Sequence, residues 1–206
     1  MNMEKKFELT DNFIINAFGV KLFQIKCTKS FKYAKEGDLG GYVEKDENLD
    51  QESDAWVSGN AEVSGDAWVS GNAEVSGDAW VSGDARVSGD AWVSGNARVY
   101  GYAEVAGNAR VAGNAWVSGN AEVSGDAEID NNNKHCGFDC FGSANRHTHA
   151  YLTKENKVEI TCGCFRGSIE EFEKRVEETH SGTIYEKQYK AIIDVIKIKF
   201  GLTDLI

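Results

Sequence analysis

The sequence predicts a mainly β protein built around a stack of short strands, and three observations support this prediction. Residues 54–131 repeat one six-residue phrase thirteen times, beginning with DAWVSG and ending with DAEIDN. Val recurs every six residues, with Ile129 in the last repeat, and Ala lies two residues before it. Most hexads end in Gly, and Asp or Asn opens the next one.

Each hexad is expected to form a three-residue strand followed by a corner. Because side chains alternate along a strand, the Ala and the Val point inward while the residue between them points outward. Gly followed by Asp or Asn suits the corner, since these residues tolerate left-handed backbone. One hexad cannot bury its two apolar side chains alone, so the hexads must stack as the units of a solenoid do.

The motif V-x-G-[DN]-A-x resembles the hexapeptide signature of left-handed parallel β-helices, in which three hexads make one triangular coil. The resemblance implies a left-handed parallel β-helix of a little over four coils for these residues. Coils about 4.8 Å apart would give a rod roughly 20 Å long. A coil of two hexads is the alternative, and it would align Trp56, Trp68, Trp80 and Trp92 in one aromatic ladder.

A three-sided coil places every third outward residue in one column. Arg98 then lies between Trp80 and Trp116, a geometry suited to cation–π contacts worth about 0.5–1 kcal/mol each. We interpret the outward residues as a binding surface, because Trp and Arg are enriched at binding sites. Its members are Trp56, Trp68, Trp80, Trp92, Trp116, Arg86, Arg98, Arg110, Glu62 and Glu74. Tandem duplication of a twelve-residue unit would also repeat Trp in every second hexad.

Residues 1–53 are predicted to form a β hairpin and an irregular capping coil. Phe13 and Ile15 pair with the strand around residues 20–25 through a turn at 17–19. Val43 and Leu49 keep the six-residue spacing, which then slips by two into the register of Val57. The stretch KEGDLGGYVE, followed by ENL and the Trp-containing hexads, resembles the opening of uncharacterised phage and prophage β-helix proteins, often labelled polymer-forming or hexapeptide-repeat proteins. That resemblance implies a phage origin, with no established activity.

Residues 132–206 are predicted to form an α+β module. Residues 145–153 and 158–166 form a hairpin, and a capping box of Ser168 with Glu171 opens a helix that runs to about Thr179. A second helix, from about Ile184 to Phe200, ends at Gly201. This helix has two apolar faces, so it needs two partners. The hairpin would cover one face; the other, formed by Ala191, Val195, Ile198, Leu202 and Leu205, would meet the end of the rod or a second copy in a homo-oligomer.

A metal site in the hairpin is a second candidate. If the hairpin loop has an even length, His147 lies opposite Cys164 and His149 opposite Cys162, all on one face. Two thiols and two imidazoles are a ligand set for structural zinc. The alternatives are half-buried thiols without a metal and a Cys164–His147 nucleophilic dyad.

Charge excludes one function for the rod. Residues 54–131 contain 12 acidic residues and 3 arginines, a net charge of −9, so direct nucleic-acid binding by the rod is not expected. The sequence has no apolar run of about 20 residues and no secretion signal at its start, which predicts a cytoplasmic protein without a membrane span. Its five cysteines are therefore expected to be thiols or metal ligands rather than disulfides.

These observations favour a non-enzymatic binding protein, encoded by a phage, that occupies a host macromolecule, most simply a host protein, in the host cytoplasm. One version inhibits a host defence system, with the acidic face occupying a site for nucleic acid. A structural spacer is one alternative. An acyltransferase-like enzyme is another, resting on fold analogy alone, because the hexads contain no His, Cys or Lys.

Overall fold

The computed structural model describes residues 5–202, which form a parallel β-solenoid flanked by a hairpin and by a C-terminal α+β module. Strands β1 (Phe7–Ile15) and β2 (Lys21–Cys27) pair antiparallel, with Phe13 opposite Phe23 and Ile15 opposite Lys21. Strand β3 (Leu39–Val43) continues this sheet into the solenoid, where it pairs parallel with the second hexad strand. The predicted N-terminal hairpin is confirmed.

Thirteen two-residue strands form the solenoid, one for each hexad. They are β4 (Trp56–Val57), β5 (Glu62–Val63), β6 (Trp68–Val69), β7 (Glu74–Val75), β8 (Trp80–Val81), β9 (Arg86–Val87), β10 (Trp92–Val93), β11 (Arg98–Val99), β12 (Glu104–Val105), β13 (Arg110–Val111), β14 (Trp116–Val117), β15 (Glu122–Val123) and β16 (Glu128–Ile129). Each strand pairs in parallel with the strand three hexads away, as Trp56 does with Glu74. The triangular coil is confirmed, and the coil of two hexads is wrong.

The core of the solenoid consists of the inward Ala and Val side chains, which are all buried. The coils are joined by continuous backbone hydrogen bonds, such as Trp56 N to Ala73 O at 2.9 Å. The corner glycines have φ between 59° and 74°, the left-handed region that their place in the hexad predicts. A narrow apolar core and a closed backbone ladder therefore stabilise each coil on its neighbours.

The first coil shows the predicted slip in register. Val43 pairs with Val63 and Leu49 bridges to Val69, each twenty residues away, whereas Val57 pairs with Val75, eighteen residues away. The two extra residues therefore lie between Leu49 and the first regular hexad. A short 3₁₀ helix (Asp46–Asn48) precedes this point.

Side chains form hydrogen bonds with backbone groups at both ends of the stack. At the N-terminal end, the buried Lys6 Nζ donates to Ser53 O and Ala55 O, each at 2.7 Å, and burial lowers the pKa of Lys6 to about 8. At the C-terminal end, Trp116 N donates to Asn132 Oδ1 at 2.8 Å. Asn132 begins a second 3₁₀ helix (Asn132–Lys134).

The C-terminal module has one antiparallel sheet and two helices. The sheet runs β17 (His135–Phe141), β18 (Arg146–Leu152), β19 (Val158–Cys162) and β20 (Phe165–Gly167). Helices α1 (Ile169–His180) and α2 (Ile184–Lys199) follow, and the predicted capping box of Ser168 with Glu171 opens α1. Strand β17 was not predicted. The predicted strand 158–166 is wrong, because Gly163, with φ of 59°, turns the chain between β19 and β20.

The sheet lies between the last coils and the two helices. Tyr151 on β18 is fully buried and belongs to the solenoid core, while Ala150 and Ile160 belong to a second core with the helices. Ile169, Phe172 and Val176 of α1 are buried there as predicted, with Tyr189, Ile192, Ile193 and Ile196 of α2. The end of the rod does not cover the other face of α2, because Val195, Ile198 and Leu202 are exposed. Leu205 lies outside the described residues.

Candidate binding surface

Arg98 lies between two tryptophans on one face of the solenoid, as the hexad spacing predicts. Its guanidinium carbon is 5.8 Å from the centre of the Trp80 ring and 4.9 Å from that of Trp116. The three residues belong to strands β8, β11 and β14, which pair in register. Contacts of this kind with exposed rings contribute about 0.5–1 kcal/mol each and also fix the rotamer of the arginine.

Two more aromatic residues, which the sequence analysis did not identify, extend this column. Phe18, at the tip of the β1–β2 hairpin, stacks on Trp80 with ring centres 4.8 Å apart and planes 13° apart. Tyr100 stacks on the same indole at 6.4 Å. We name Phe18, Trp80, Arg98, Tyr100 and Trp116 the aromatic patch. Tyr100 was detectable, because every other hexad except the last has Ser or Ala at that position; Phe18 gave no such signal.

The remaining predicted tryptophans occupy the other two faces or are covered. Trp92 is 37% exposed and receives Arg110 at 4.3 Å from its ring centre, while Trp68 is 43% exposed beside Arg86. Trp56 is only 4% exposed, so its predicted place in an open surface is wrong. The reason is the loop after β2, whose Phe31 packs edge-on against Trp56 with ring centres 5.4 Å apart.

The predicted glutamates are partly buried and lie one coil from a tryptophan. Glu62 pairs with Trp80 and Glu74 with Trp92. Burial raises the pKa of Glu62, and a hydrogen bond from Asn16 partly offsets that shift. Glu62 therefore places a carboxyl group beside Trp80 at the edge of the aromatic patch, whereas Glu74 lies beside Trp92 on another face.

Polar ladders run along the corners of the rod. Asn60 Nδ2 donates to Asp78 Oδ1 at 3.0 Å, and Asn72 Nδ2 donates to Asp90 Oδ1 at 2.9 Å. Each pair spans one coil, because its members are eighteen residues apart. The two ladders run along different corners: Asp78 opens the hexad that carries Trp80, whereas Asp90 opens the hexad that carries Trp92 on another face.

The predicted metal ligands are not brought together. Strand β18 pairs with β19 so that Thr148 lies opposite Cys162 and His149 opposite Thr161, one residue away from the predicted register. The assumption of an even-length loop was wrong, because Asn156 adopts φ of 57° and closes a three-residue loop between Thr153 and Lys157. Within residues 5–202, no group of three or more His, Cys, Asp or Glu side chains could hold a metal ion.

The register separates these side chains onto opposite faces of the sheet. His149 Nδ1 donates to Glu122 O of the last complete coil at 3.2 Å. Cys162 lies on the helix side, with its sulfur 3.4 Å from Thr148 Oγ1 and 3.9 Å from Tyr189 Oη. Cys164 is exposed in the turn before β20. Zinc held by His147, His149, Cys162 and Cys164 would require a different strand register.

Three histidines instead form a cluster between the sheet and the solenoid. His135 Nδ1 donates to His149 Nε2 at 3.0 Å, because the other nitrogen of His149 is used as a donor to Glu122 O. Burial lowers the pKa of His149 to about 3 and that of His135 to about 4. Both rings are therefore neutral at pH 7, and they join the two parts of the chain through one line of hydrogen bonds.

The third histidine, His147, has a carboxylate partner like that of a catalytic base, but its free ring nitrogen is buried. His147 Nδ1 is 2.6 Å from Asp139 Oδ1, the arrangement in which a carboxylate orients an imidazole. Its Nε2 is buried and has no hydrogen-bond partner in the described part of the chain. A general base must reach the proton that it abstracts, and here the nitrogen that would do so is buried.

A cavity of about 320 Å³ lies between β19, α1 and α2. Phe165, Phe172 and Tyr189 contribute to its apolar wall, and Arg146 and Arg175 contribute positive charge. It is separate from the solenoid faces and contains no predicted site residue except Cys162 and Cys164.

Comparison with known proteins supports the repeat architecture. A family model described as the YdcK beta solenoid repeat matches residues 79–95, which is about one coil. No curated protein matches the chain at a significant level of similarity. Among the described residues, no helix has both the length and the apolarity needed to cross a membrane.

Proposed function

We propose that this protein is a non-enzymatic binding protein and that its aromatic patch contacts a basic surface of a protein partner. The observation that carries the proposal is Arg98 held between Trp80 and Trp116 on an open face. Trp116 is 46% exposed and Phe18 is 68% exposed, so the patch has apolar area to bury. Tryptophan, tyrosine and arginine are the residue types that dominate binding energy at protein interfaces.

The charge around the patch favours a basic partner. The hexads have a net charge of −9, and the exposed Asp78 and Asp84 lie at the two corners on either side of Trp80. An acidic rim accelerates association with a positively charged protein and disfavours nucleic acid, whose phosphates would be repelled. A central aromatic and Arg cluster with an acidic rim is the arrangement expected of such an interface.

The narrower proposal concerns origin and context. The resemblance of KEGDLGGYVE and the following hexads to phage and prophage β-helix proteins supports a phage origin, and with it a bacterial host protein as partner in the host cytoplasm. Inhibition of a host defence system is the version that the acidic face favours, because such a face can occupy a site for nucleic acid. The hexapeptide resemblance also supports a left-handed coil.

The absence of catalysis is part of the proposal. No hexad contains His, Cys or Lys, and the buried Nε2 of His147 leaves the Asp139–His147 pair without access to a substrate. An acyltransferase-like activity would need a base or a nucleophile on the outer surface of the coils.

The test compares substitutions on two faces of the same rod. The wild-type chain and the variants Arg98→Ala, Trp116→Ala and Trp68→Ala are immobilised, and bacterial lysate is passed over each. We expect one partner to bind both the wild type and Trp68→Ala. Its affinity for Arg98→Ala and for Trp116→Ala should be lower by about tenfold or more, since a buried aromatic or Arg anchor contributes about 2 kcal/mol or more. Trp68 is the matched control, because it is equally exposed on another face.

The bound partner is then purified and its affinity measured at increasing salt. Affinity that falls with salt supports the electrostatic part of the proposal. If Trp68→Ala loses as much affinity as Arg98→Ala and Trp116→Ala, the partner does not bind specifically at the aromatic patch. No partner above a repeat-scrambled control, from the lysates of several bacteria, would contradict the proposal.

A further inference from the structure

Helix α2 carries a second apolar face that nothing in the described chain covers. The face consists of Ile184, Ala191, Val195 and Ile198, which we name the outer stripe, and Leu202 follows beyond the helix end, after the turn at Gly201. Ile184 is 60%, Val195 48%, Ile198 67% and Leu202 56% exposed. Ala191, Val195 and Ile198 are three or four residues apart, and Ile184 lies two turns before Ala191, so the four residues of the outer stripe share one side of the helix.

The opposite side of α2 is already used. Tyr189, Ile192, Ile193 and Ile196 are buried in the module core, where α2 packs against α1 and β17. The outer stripe therefore adds nothing to the fold of its own chain. Leaving Ile184, Val195 and Ile198 exposed on one helix face costs solubility, which a partner would relieve.

Two opposite charges border the outer stripe on the same side. Lys187 and Asp194 are seven residues apart, two helical turns, and both are exposed. Neither forms a hydrogen bond or an ion pair within residues 5–202. By contrast, Lys190 binds Glu177 and Glu186, and Lys197 binds Glu173, so the lysines on the core side of the helix are paired within the chain.

We propose that α2 pairs antiparallel with α2 of a second copy of this chain, with Ala191 on the two-fold axis. Residues equally distant from Ala191 then face each other, so Ile184 meets Ile198 of the partner subunit. Lys187 lies within one residue rise of Asp194 of the partner subunit, because a two-fold axis brings the same flank of both helices together. The symmetry makes both contacts twice.

Three features of the stripe fit this arrangement. Ala191, the smallest residue of the stripe, lies at the crossing point, which allows a short interaxial distance. The two Lys187–Asp194 pairs flank the apolar seam and fix its orientation, as charges do beside coiled-coil seams. A single helix pair buries little area compared with obligate dimers, so we expect dissociation in the micromolar range.

The test uses the full chain in sedimentation equilibrium over a concentration series. The wild type is expected to reach a dimer, and Ile198→Glu is expected to stay a monomer with unchanged thermal melting. Lys187→Asp and Asp194→Lys each place like charges opposite one another, so each alone is expected to weaken the dimer about tenfold or more.

Mixing the two charge variants gives the decisive measurement. A pair made of one Lys187→Asp chain and one Asp194→Lys chain has two attractive pairs again, and we expect it to form a heterodimer about as tight as the wild-type dimer. Lys174→Asp, on the outer side of α1, is the control and retains wild-type association. A wild type that stays monomeric at the highest concentrations, or single charge variants that dimerise like the wild type, would overturn the proposal. The dimer proposal is independent of the aromatic patch: Trp116→Ala leaves α2 unchanged, so this variant should dimerise like the wild type.

Discussion

At each corner of the solenoid a glycine with positive φ lies against the corner glycine of the next coil. A Cβ built on Gly89 would lie 2.9 Å from the backbone nitrogen of Gly107 and 3.1 Å from its oxygen. Gly119, at the last coil, has the same φ, but a Cβ there would meet nothing within 4 Å. The two positions therefore differ only in the close approach of the neighbouring coil.

This difference can be measured with two alanine substitutions. Gly119→Ala is expected to lower the free energy of unfolding by about 1–2 kcal/mol, the cost of a left-handed alanine. Gly89→Ala carries the same cost and also displaces backbone, so we expect it to cost at least about 1 kcal/mol more. Urea unfolding followed by circular dichroism gives both values. Equal losses would show that the coils adjust to a methyl group without strain.

Single residues also mark the limit of what the sequence predicted about the binding surface. The column of Trp80, Arg98 and Trp116 follows from the coil length, since every regular coil has eighteen residues and these three residues are eighteen apart. The burial of Trp56 does not follow, because Phe31 comes from a loop whose path no periodicity describes. The same reason explains why Phe18 was not identified.

At the scale of the elements, every hexad has the same inner face. The Val of any hexad can therefore stack on the Val of any other. Only the outward residues differ from one hexad to the next. Removing a complete hexad keeps the inner Val ladder, whereas removing one residue breaks the alternation of inward and outward side chains.

We expect deletion of residues 84–89 to be better tolerated than deletion of Ser88 alone. The six-residue deletion should leave cooperative unfolding, with a lower melting temperature because one repeat interface is lost. The one-residue deletion should lower the melting temperature further, since the shortened corner strains two coils. Melting curves of both variants test this, and the reverse order would contradict interchangeable hexads. The longer deletion also separates Arg98 from Trp80, because Glu104 then lies one coil after Trp80. Partner binding should therefore fall although the fold remains.

Local sequence signals predicted the helices well and the hairpin register poorly. The capping box at Ser168 and the glycine at 201 set the helix ends within one residue. The hairpin register depended on whether the loop after Thr153 has three or four residues, and Asn156 in the left-handed region decides it. A single shift of this kind moves every side chain to the other face, which removed the predicted zinc site.

At the scale of the whole molecule, the histidine cluster joins the solenoid to the C-terminal sheet. Glu122 O accepts hydrogen bonds from both His149 and Thr161, and His135 donates to His149. Burial lowers the pKa of both His149 and His135, and the positive charge of Lys199 lowers that of His135 further. The hydrogen bond to Glu122 O acts in the opposite direction but does not outweigh burial, so the pKa of His149 stays low.

Stability is therefore expected to fall in mild acid. The unfolded chain protonates His149 near pH 6.5, but the folded chain does so only near pH 3, so the unfolded state binds more protons between these values. His149→Asn keeps a donor for Glu122 O and does not titrate. From pH 7.5 to pH 5, we expect the wild type to lose about 1 kcal/mol or more of unfolding free energy beyond the loss in this variant. Thr161→Val, which removes the other donor, should shift stability equally at both pH values. Parallel losses in the wild type and His149→Asn would contradict the prediction.

The backbone groups at the two ends of the stack have one more consequence. Ser53 O and Ala55 O lie at the N-terminal end of the repeats, where the carbonyls of a coil would accept the amides of a strand added before it. Lys6 already binds both, and Asn132 occupies the amide of Trp116 at the other end. We therefore expect that copies of this chain do not template one another end to end, so that the rod keeps the length of its own thirteen hexads.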